Sequence, residues 1–354
     1  MKINRVHLTR IDMDLAIPYT IAYETVSSTS NVILELGTDT GESGWGCSAP
    51  DHTVTGETVE EVLEAGRQVL VPLLTARDPF RIAKITHEIR QRLPGKSSTL
   101  AMVDSALFDL LAKKADIPLY KLLGGFRHKI ATSITIGILP LAETLAMAEK
   151  HLRDGFFILK LKGGLSLEED VEKVRKLRER FGADFLLRFD ANQGYKPEQA
   201  VEFISRVEAH DLEIIEQPTC RTGDEGLGRV TGAVSVPVMA DESITTLKDA
   251  FRLAANDRID MVNIKLMKMG GIFESLHINS VAKAAKMEVM VGCLDECALG
   301  ISAGLHFALS RANIEYADLD GHIDLLNDPF SGLFSLENGW LIPSGDAGLG
   351  KISF

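Results

Sequence analysis

The sequence reads FILKLK at residues 157–162, FLLRFD at 185–190 and LEIIEQ at 212–217. Each of these short apolar runs has the length of a buried strand and closes on charged or polar side chains. Stretches with the apolar spacing of helices, 169–181 and 197–209, lie between them. Five further runs extend this alternation, at 132–138, 236–241, 260–265, 287–293 and 314–320. Eight strand–helix units within roughly 190 residues are typical of a closed parallel barrel.

A doubly wound parallel sheet is the alternative arrangement for such an alternation. That fold normally has a Gly-rich phosphate turn after its first strand, and the sequence has none there. The pattern therefore favours an α/β fold of the TIM-barrel type.

The N-terminal part has a different pattern, in which strands come first and helices follow. Strand-like runs at 2–13 and 31–38 precede helical stretches at 57–75, 79–92 and 97–114. This order predicts an α+β unit. We expect three parts: a capping domain at 1–128, a barrel at 129–322, and a tail at 323–354 that packs back on the capping domain.

Charge and composition limit the classes of partner. The 354 residues include 38 basic and 50 acidic side chains, for a formal charge of −12. Nucleic acids and anionic membranes both require a basic face, so neither is expected as a partner. The four cysteines form no CxxC pair, and no apolar run approaches the ~18 residues of a membrane span. Because the N-terminus also lacks the apolar segment of a signal peptide, we expect a cytoplasmic protein.

Acidic side chains close three consecutive strands of the predicted barrel: Asp190, Glu216 and Asp241. In a parallel barrel these strand ends meet at one mouth, where active sites lie. Oxygen ligands alone suit Mg²⁺, and the lack of His or Cys among them disfavours zinc and copper. Each acid alone could equally be a helix N-cap or a surface residue. Together they predict a magnesium site.

Lysines close the second and sixth predicted strands. Lys160 and Lys162 are two residues apart and therefore point to the same side, into the barrel, and Lys265 lies on the strand diametrically opposite. Neighbouring cations are expected to lower one another's pKa, which would leave one amine neutral near pH 7. A base on each side of a bound α-carbon can invert it. The alternatives are a solvated strand end and a phosphate site.

These motifs together resemble the enolase superfamily, and specifically its muconate-lactonising subgroup. The motifs that carry the resemblance, which covers nearly the whole chain, are Lys160-Leu-Lys162, Asp190-Ala-Asn192, Glu216-Gln-Pro, Ala240-Asp-Glu-Ser243 and Asn263-Ile-Lys265. The mandelate-racemase branch is less similar, because it has a His after its seventh strand, where this chain reads Val291-Gly-Cys-Leu-Asp295.

The resemblance implies a (β/α)7β-like barrel and assigns roles to these residues. Asp190, Glu216 and Asp241 would bind Mg²⁺, Lys162 and Lys265 would be the acid/base pair, and Lys160 would steady an enediolate. We expect Asn192 and Lys268 to position these residues without contacting the substrate themselves. Glu242 follows a proposed ligand directly and is expected to bond a lysine rather than the metal. Proteins with barrels of this type often form multimers, so we expect a homo-oligomer.

Asp318 and Asp320, after the eighth strand, distinguish between activities within the subgroup. A carboxylate pair with a period of two suits the free α-ammonium group of a dipeptide, and dipeptide epimerases carry such a pair. N-acylamino acid racemases and o-succinylbenzoate synthases generally lack it, and both activities stay open as alternatives. A barrel that binds without catalysis is a third, which the intact lysine and carboxylate set opposes.

Side-chain preference depends on residues near the predicted mouth. Two loops, 15–30 and 47–57, could close over the barrel and exclude water. Glu24 and Asp51 lie in these loops, and Asp295 follows the seventh strand. Three acids there would repel an anionic side chain, so we expect a preference for dipeptides that contain Lys or Arg.

Overall fold

The computed structural model describes residues 1–21 and 25–354. Within them, the N-terminal part begins with an antiparallel sheet in the order β1–β2–β3. Its strands are β1 (Ile3–Thr20), β2 (Thr25–Thr38) and β3 (Ser43–Ser48). The helices that follow are α1 (Val59–Ala65), α2 (Val71–Leu74), α3 (Ile82–Arg92), α4 (Ser97–Lys114) and α5 (Leu119–Leu122), with a π-helical turn at Gly66–Leu70 between the first two.

The predicted loop at 15–30 is wrong over most of its described length. β1 runs on to Thr20 and β2 begins at Thr25, and the two strands remain paired there, with Tyr19 opposite Val26. Ser and Thr residues suggested a loop, but β-branched side chains and main-chain pairing with the neighbouring strand keep the segment extended. The two arms of this hairpin therefore project beyond the rest of the sheet.

Helix α4 is buried along almost its whole length and packs on β3. Gly46 makes this approach possible, because a Cβ at that position would overlap the carbonyl of Met102. The predicted helix at 57–75 is interrupted by the π-helical turn before α2, where Pro72 lacks the main-chain donor that a regular helix needs.

The barrel prediction is confirmed. Among the described residues, eight parallel strands follow one another in chain order around the sheet. They are β5 (Ile134–Ile136), β6 (Ile158–Lys162), β7 (Leu186–Asp190), β8 (Leu212–Glu216), β9 (Val238–Ala240), β10 (Met261–Lys265), β11 (Glu288–Gly292) and β12 (Ile314–Asp318). All eight lie within the predicted runs.

Helices surround the strands, and the sheet closes on itself. The helices are α6 (Leu141–Arg153), α7 (Leu167–Phe181), α8 (Pro197–Val207), α9 (Asp224–Thr231), α10 (Leu247–Ala255), α11 (Leu266–Met269), α12 (Ile272–Ala284) and α13 (Ala298–Ala308), with a 3-10 turn at Glu208–His210. Closure comes from a parallel bridge between Thr132 and Ala317, and Ser133 N donates to Ala317 O at 3.2 Å. This closure excludes the doubly wound alternative.

The C-terminal tail contacts both other parts of the chain. Strands β13 (Phe334–Glu337) and β14 (Trp340–Pro343) form a small sheet with β4 (Ile130–Ala131). Leu349 N donates to Asp109 of α4 at 2.8 Å, and Leu325 bridges Leu15 of β1. One continuous apolar core joins the N-terminal part, the barrel and the tail. None of the helices in the described ranges is long and apolar enough to cross a membrane.

Candidate active site

Strand register brings the predicted side chains to one mouth of the barrel. Lys162 of β6 pairs with Asp190 of β7, which in turn pairs with Glu216 of β8. On the far side, Lys265 of β10 is aligned with Gly292 of β11 and so with Asp318 of β12. Because all strands are parallel, these residues lie at the same end of the barrel.

Lys160 lies at the centre of a buried group of carboxylates. Its Nζ is 2.7 Å from Glu216 Oε2, 2.7 Å from Asp318 Oδ2 and 3.1 Å from Asp190 Oδ2. Burial alone would lower the pKa of Lys160, but the charges of Asp318, Glu216 and Asp190 outweigh burial and raise it well above its usual range. The expectation of a lowered pKa is therefore wrong for Lys160, because carboxylates surround it more closely than the other lysines do.

Asp241, directly after β9, is held by two lysines. Lys265 Nζ lies 2.9 Å from its Oδ2, and Lys268 donates to its carbonyl at 2.5 Å and to Oδ1. Burial raises the pKa of Asp241, but the charges of Lys265 and Lys268 outweigh burial and hold this pKa well below its usual range. Lys268 thus holds Asp241 in position through these two contacts. Gln217 fixes the main chain, since its Oε1 accepts from Asp241 N at 3.0 Å.

Lys162 and Lys265 enter the site from opposite sides. Their strands, β6 and β10, are four positions apart in a closed sheet of eight, and both side chains line the same cavity. Lys162 Nζ donates to Asp190 Oδ2 at 2.8 Å and to Asn192 Oδ1 at 3.0 Å. Asn192 thereby fixes the position of one of the two amines.

The donor set of the three acids fits Mg²⁺. Asp190, Glu216 and Asp241 are buried carboxylates from neighbouring strands, and Asn263 Nδ2 donates to Glu216 Oε1 at 2.7 Å, which orients that group. Burial and the charge of Asp190 raise the pKa of Glu216, so these acids lie close enough to interact. In the described part of the chain, no three His, Cys, Asp or Glu side chains lie close enough together to hold a metal ion in their present positions. Lysine ammonium groups lie between the carboxylates and keep them apart.

Glu242 differs from its prediction. Its Oε1 accepts from Asn192 Nδ2 at 3.3 Å rather than from a lysine, and its buried Oε2 has no partner in the structure. Burial and the nearby charges of Asp241 and Asp190 raise its pKa to about 7. Lys265 and Lys268 contact Asp241 instead.

Asp318 and Asp320 lie side by side on the wall formed by β12 and β5. Ser133 Oγ donates to Asp318 Oδ1 at 2.6 Å, and Thr135 N donates to Asp320 Oδ2 at 2.7 Å. Although burial opposes it, Lys160 lowers the pKa of Asp318 to about 2, whereas burial and the charge of Asp318 raise the pKa of Asp320 to about 6. Both carboxylates line the cavity.

A second group of residues covers the mouth from the capping side. Asp295 is partly buried and accepts from the hydroxyl of Tyr19, at 2.9 Å to Oδ2. Burial and the charge of Asp51 raise the pKa of Asp295, although Tyr19 opposes this shift. Asp51 also accepts from Thr53 N and Val54 N within its own loop. Glu24 lies outside the described residues.

The cavity above the lysines has a volume of about 570 Å³ and extends beyond the predicted residues. Sequence reasoning missed Tyr19 and an arm of the cavity lined by Leu15, Glu143, Met147 and Asp324. Alternation along β1 could have placed Tyr19, had the strand been extended to Thr20. The arm has no local signal, because it depends on how α6 and the tail meet the hairpin.

Comparisons with known proteins agree with this geometry. The family model described as Mandelate racemase / muconate lactonizing enzyme, N-terminal domain, matches residues 4–124, and the one described as Enolase C-terminal domain-like matches residues 143–351. The chain is 41% identical over 351 residues to the L-Lys-D/L-Arg epimerase of Desulforapulum autotrophicum, covering 99% of each chain.

Two solved structures are similar over almost the whole chain. A substrate-liganded complex of the L-Ala-D/L-Glu epimerase from Bacillus subtilis superposes with a TM-score of 0.96 at 37% identity, covering 99% of this chain and 98% of that one. A dipeptide epimerase from Enterococcus faecalis, complexed with Mg and the dipeptide L-Leu-L-Tyr, gives 0.95 at 38% identity and covers 99% of each chain. The resemblance predicted from the motifs is confirmed: this chain belongs to the enolase superfamily and, within it, to a family of isomerases, the epimerases.

Proposed function

We propose that this protein is a magnesium-dependent dipeptide epimerase that inverts the α-carbon of the C-terminal residue. The observation that carries the proposal is the placement of Asp318 and Asp320 beside a cavity with Lys162 and Lys265 on opposite sides. The lysines supply two proton-transfer groups, and the carboxylate pair supplies a partner for a free α-ammonium group.

The proton steps follow from the two opposed amines. Lys162, acting as the base, removes the α-proton from one face of the bound dipeptide and becomes an ammonium. Burial lowers the pKa of Lys265, but Asp241 and Glu216 outweigh it, so Lys265 carries the proton that it gives to the opposite face. The α-carbon gains as many protons as it loses, and its configuration is inverted. The reverse reaction exchanges the two roles.

Negative charge on the substrate's carboxylate grows as the α-proton leaves. Lys160 is a buried cation at this position and stabilises the enediolate that forms. Asp190, Glu216 and Asp241 would hold Mg²⁺, which supplies further positive charge to the same carboxylate. Asn192 and Lys268 hold Lys162 and Asp241 in place through the bonds described above.

We further infer a preference for dipeptides that contain Lys or Arg. Asp295 and Asp51 present negative charge on the capping side of the cavity, and Asp295 is fixed by Tyr19. An anionic substrate side chain would be repelled there, and a cationic one attracted. The related epimerases act on Lys-Arg, Ala-Glu or hydrophobic dipeptides at similar identities, so this inference depends on the local charges.

A dipeptide library incubated in D₂O with Mg²⁺ tests the proposal. Epimerisation replaces the α-hydrogen by solvent deuterium, so mass spectrometry should show one added mass unit, fastest for Lys- and Arg-containing dipeptides. Asp295→Asn should reduce that preference by about three- to ten-fold. Turnover of Ala-Glu equal to or above that of the cationic dipeptides would refute the preference alone. Absence of exchange with every dipeptide would refute the epimerase proposal.

The same experiment separates the related activities. An N-acylamino acid racemase would exchange N-acylated amino acids and would be little affected by Asp318→Asn or Asp320→Asn. An o-succinylbenzoate synthase would be revealed by loss of water. A dipeptide epimerase should instead lose most of its activity in both variants, because the ammonium group loses its partner.

A further inference from the structure

One arm of the cavity has no role in the proton transfers. Beyond Asp320, the cavity continues between the hairpin arm of β1 and helix α6. Its walls are mainly apolar, and the side chains that form them are Leu15, Ile17, Ile136, Leu139, Ala146 and Met147. The arm is continuous with the space above the lysines.

The order of the strands around the barrel indicates which part of a bound dipeptide would reach this arm. In the proposed dipeptide complex, the inverted α-carbon would lie between Lys162 and Lys265, and the α-ammonium group would lie at Asp318 of β12 and at Asp320 just after that strand. The next strand around the barrel is β5, whose Thr135 bonds Asp320. The side chain attached beside the ammonium group is therefore the group that faces β5 and α6.

Charges at the arm favour a cation. Glu143 is exposed at its edge and Asp324 is about half buried, and both line the cavity. Lys150 also lines it, but its ammonium is 3.1 Å from Asp154. His151 has its pKa lowered to about 4, mainly by burial, and is therefore neutral at pH 7. Burial raises the pKa of Asp324, and the charge of Lys150 opposes this rise. The carboxylates of Glu143 and Asp324 outnumber this one ammonium, so the net charge in the arm is negative.

We propose that this arm binds the side chain of the N-terminal residue and selects a long aliphatic side chain with a cationic end. The apolar walls take the methylene groups, and Glu143 and Asp324 receive the charge. This inference rests on the proposed dipeptide epimerase function and deepens it, because it assigns a cationic preference to the N-terminal residue of the substrate.

Three dipeptides with the same C-terminal residue test the arm: L-Lys-L-Ala, L-norleucyl-L-Ala and L-Ala-L-Ala. With the Mg²⁺-loaded full chain, kcat/KM should fall in that order. Glu143→Gln and Asp324→Asn should each lower kcat/KM for Lys-Ala by about three- to ten-fold and leave norleucyl-Ala within about two-fold. Ala146→Phe should fill the arm and lower Lys-Ala and norleucyl-Ala by about ten-fold or more, with Ala-Ala little changed.

Glu149→Gln is the matched control, because Glu149 lies on the same helix but pairs with Arg180 outside the cavity. Equal rates for Lys-Ala and norleucyl-Ala in the unmodified enzyme would overturn the charge selection. If Ala146→Phe folds, as judged by its thermal unfolding, and lowers all three substrates alike or none, the arm does not hold this side chain. If the unmodified enzyme exchanges no dipeptide at all, the proposed function itself fails, and this inference with it.

Discussion

The two sides of the active-site mouth are built differently. The strand-end cluster, formed by Lys160, Asp190 and Glu216, is at most 2% exposed, and its residues come from consecutive strands in fixed register. The cap-side wall, formed by Tyr19, Asp51 and Asp295, comes from a hairpin arm and two loops. Main-chain pairing between consecutive parallel strands fixes the cluster, whereas side-chain bonds hold the loops that carry Asp51 and Asp295 in the wall. Under the proposed function, we expect the cluster to serve the reaction chemistry and the wall to contribute to substrate selection.

Asn31 of β2 connects the wall to the barrel. Its Nδ2 donates to Asp295 O at 3.0 Å, and its Oδ1 accepts from Cys297 N at 2.7 Å. Thr29 Oγ1 also donates to Asp295 O, at 3.1 Å. The loop that carries Asp295 is thus bound to the capping sheet, so a change in that sheet can alter selection without reaching the lysines.

The largest effect is expected within the strand-end cluster. Glu216→Gln should lower kcat by about 10³-fold or more, because it removes an anionic metal ligand and one of the carboxylates around Lys160. Isothermal calorimetry should show weaker Mg²⁺ binding, and Glu225→Gln, exposed in α9, is the control. Mg²⁺ affinity and kcat both within two-fold of the unmodified enzyme would contradict the assignment.

Asp320→Asn should have the next largest effect. Loss of one carboxylate from the ammonium site is expected to cost about 2–3 kcal/mol, or roughly 30- to 150-fold in kcat/KM for dipeptides. Circular dichroism should show an unchanged fold. Asp346→Asn, exposed in the tail, should behave like the unmodified enzyme. A similar loss in both variants would show that the charge at 320 has no specific role.

Acid should weaken substrate binding through the same residue. The pKa of Asp320 is raised to about 6, so this carboxyl gains a proton, and loses its negative charge, as pH falls through 6. The substrate's α-ammonium keeps its charge in that range. We expect kcat/KM to fall by up to about ten-fold per pH unit below 6. The Asp320→Asn variant should not show this fall in kcat/KM below pH 6. An unaltered fall in the variant would assign the titration to another group.

The smallest effect on turnover is expected at the connection between cap and barrel. Asn31→Leu leaves the buried Cys297 N without its acceptor and removes one of the two donors to Asp295 O, which should cost about 1–3 kcal/mol of unfolding free energy. The ratio of kcat/KM for cationic over neutral dipeptides should fall a few-fold, while kcat for the neutral ones changes little. Asn4→Leu, exposed on β1, is the control. If this ratio of kcat/KM values is unchanged in Asn31→Leu, the cap-side wall does not contribute to substrate selection.

The same contrast explains what the sequence could predict. Asp190 and Glu216 were predicted because each closes an apolar run. Lys160 was predicted because it lies two residues before Lys162, which closes another run, and therefore faces the same side. Tyr19 was missed because Ser and Thr residues concealed the length of β1. Met147 and Asp324 could not be found, because they meet only when α6, the tail and the hairpin pack together. The raised pKa of Lys160 likewise depends on distances to carboxylates that spacing along the chain does not give.

Hydrogen exchange by single-lysine variants tests the central claim, that two amines act from opposite sides of the α-carbon. In D₂O, Lys162→Ala and Lys265→Ala should both stop net epimerisation. Each variant should still exchange the α-hydrogen of only one epimer of the same dipeptide, and the two variants should act on opposite epimers. Exchange of the same epimer by both variants, or of both epimers by either one, would contradict the account.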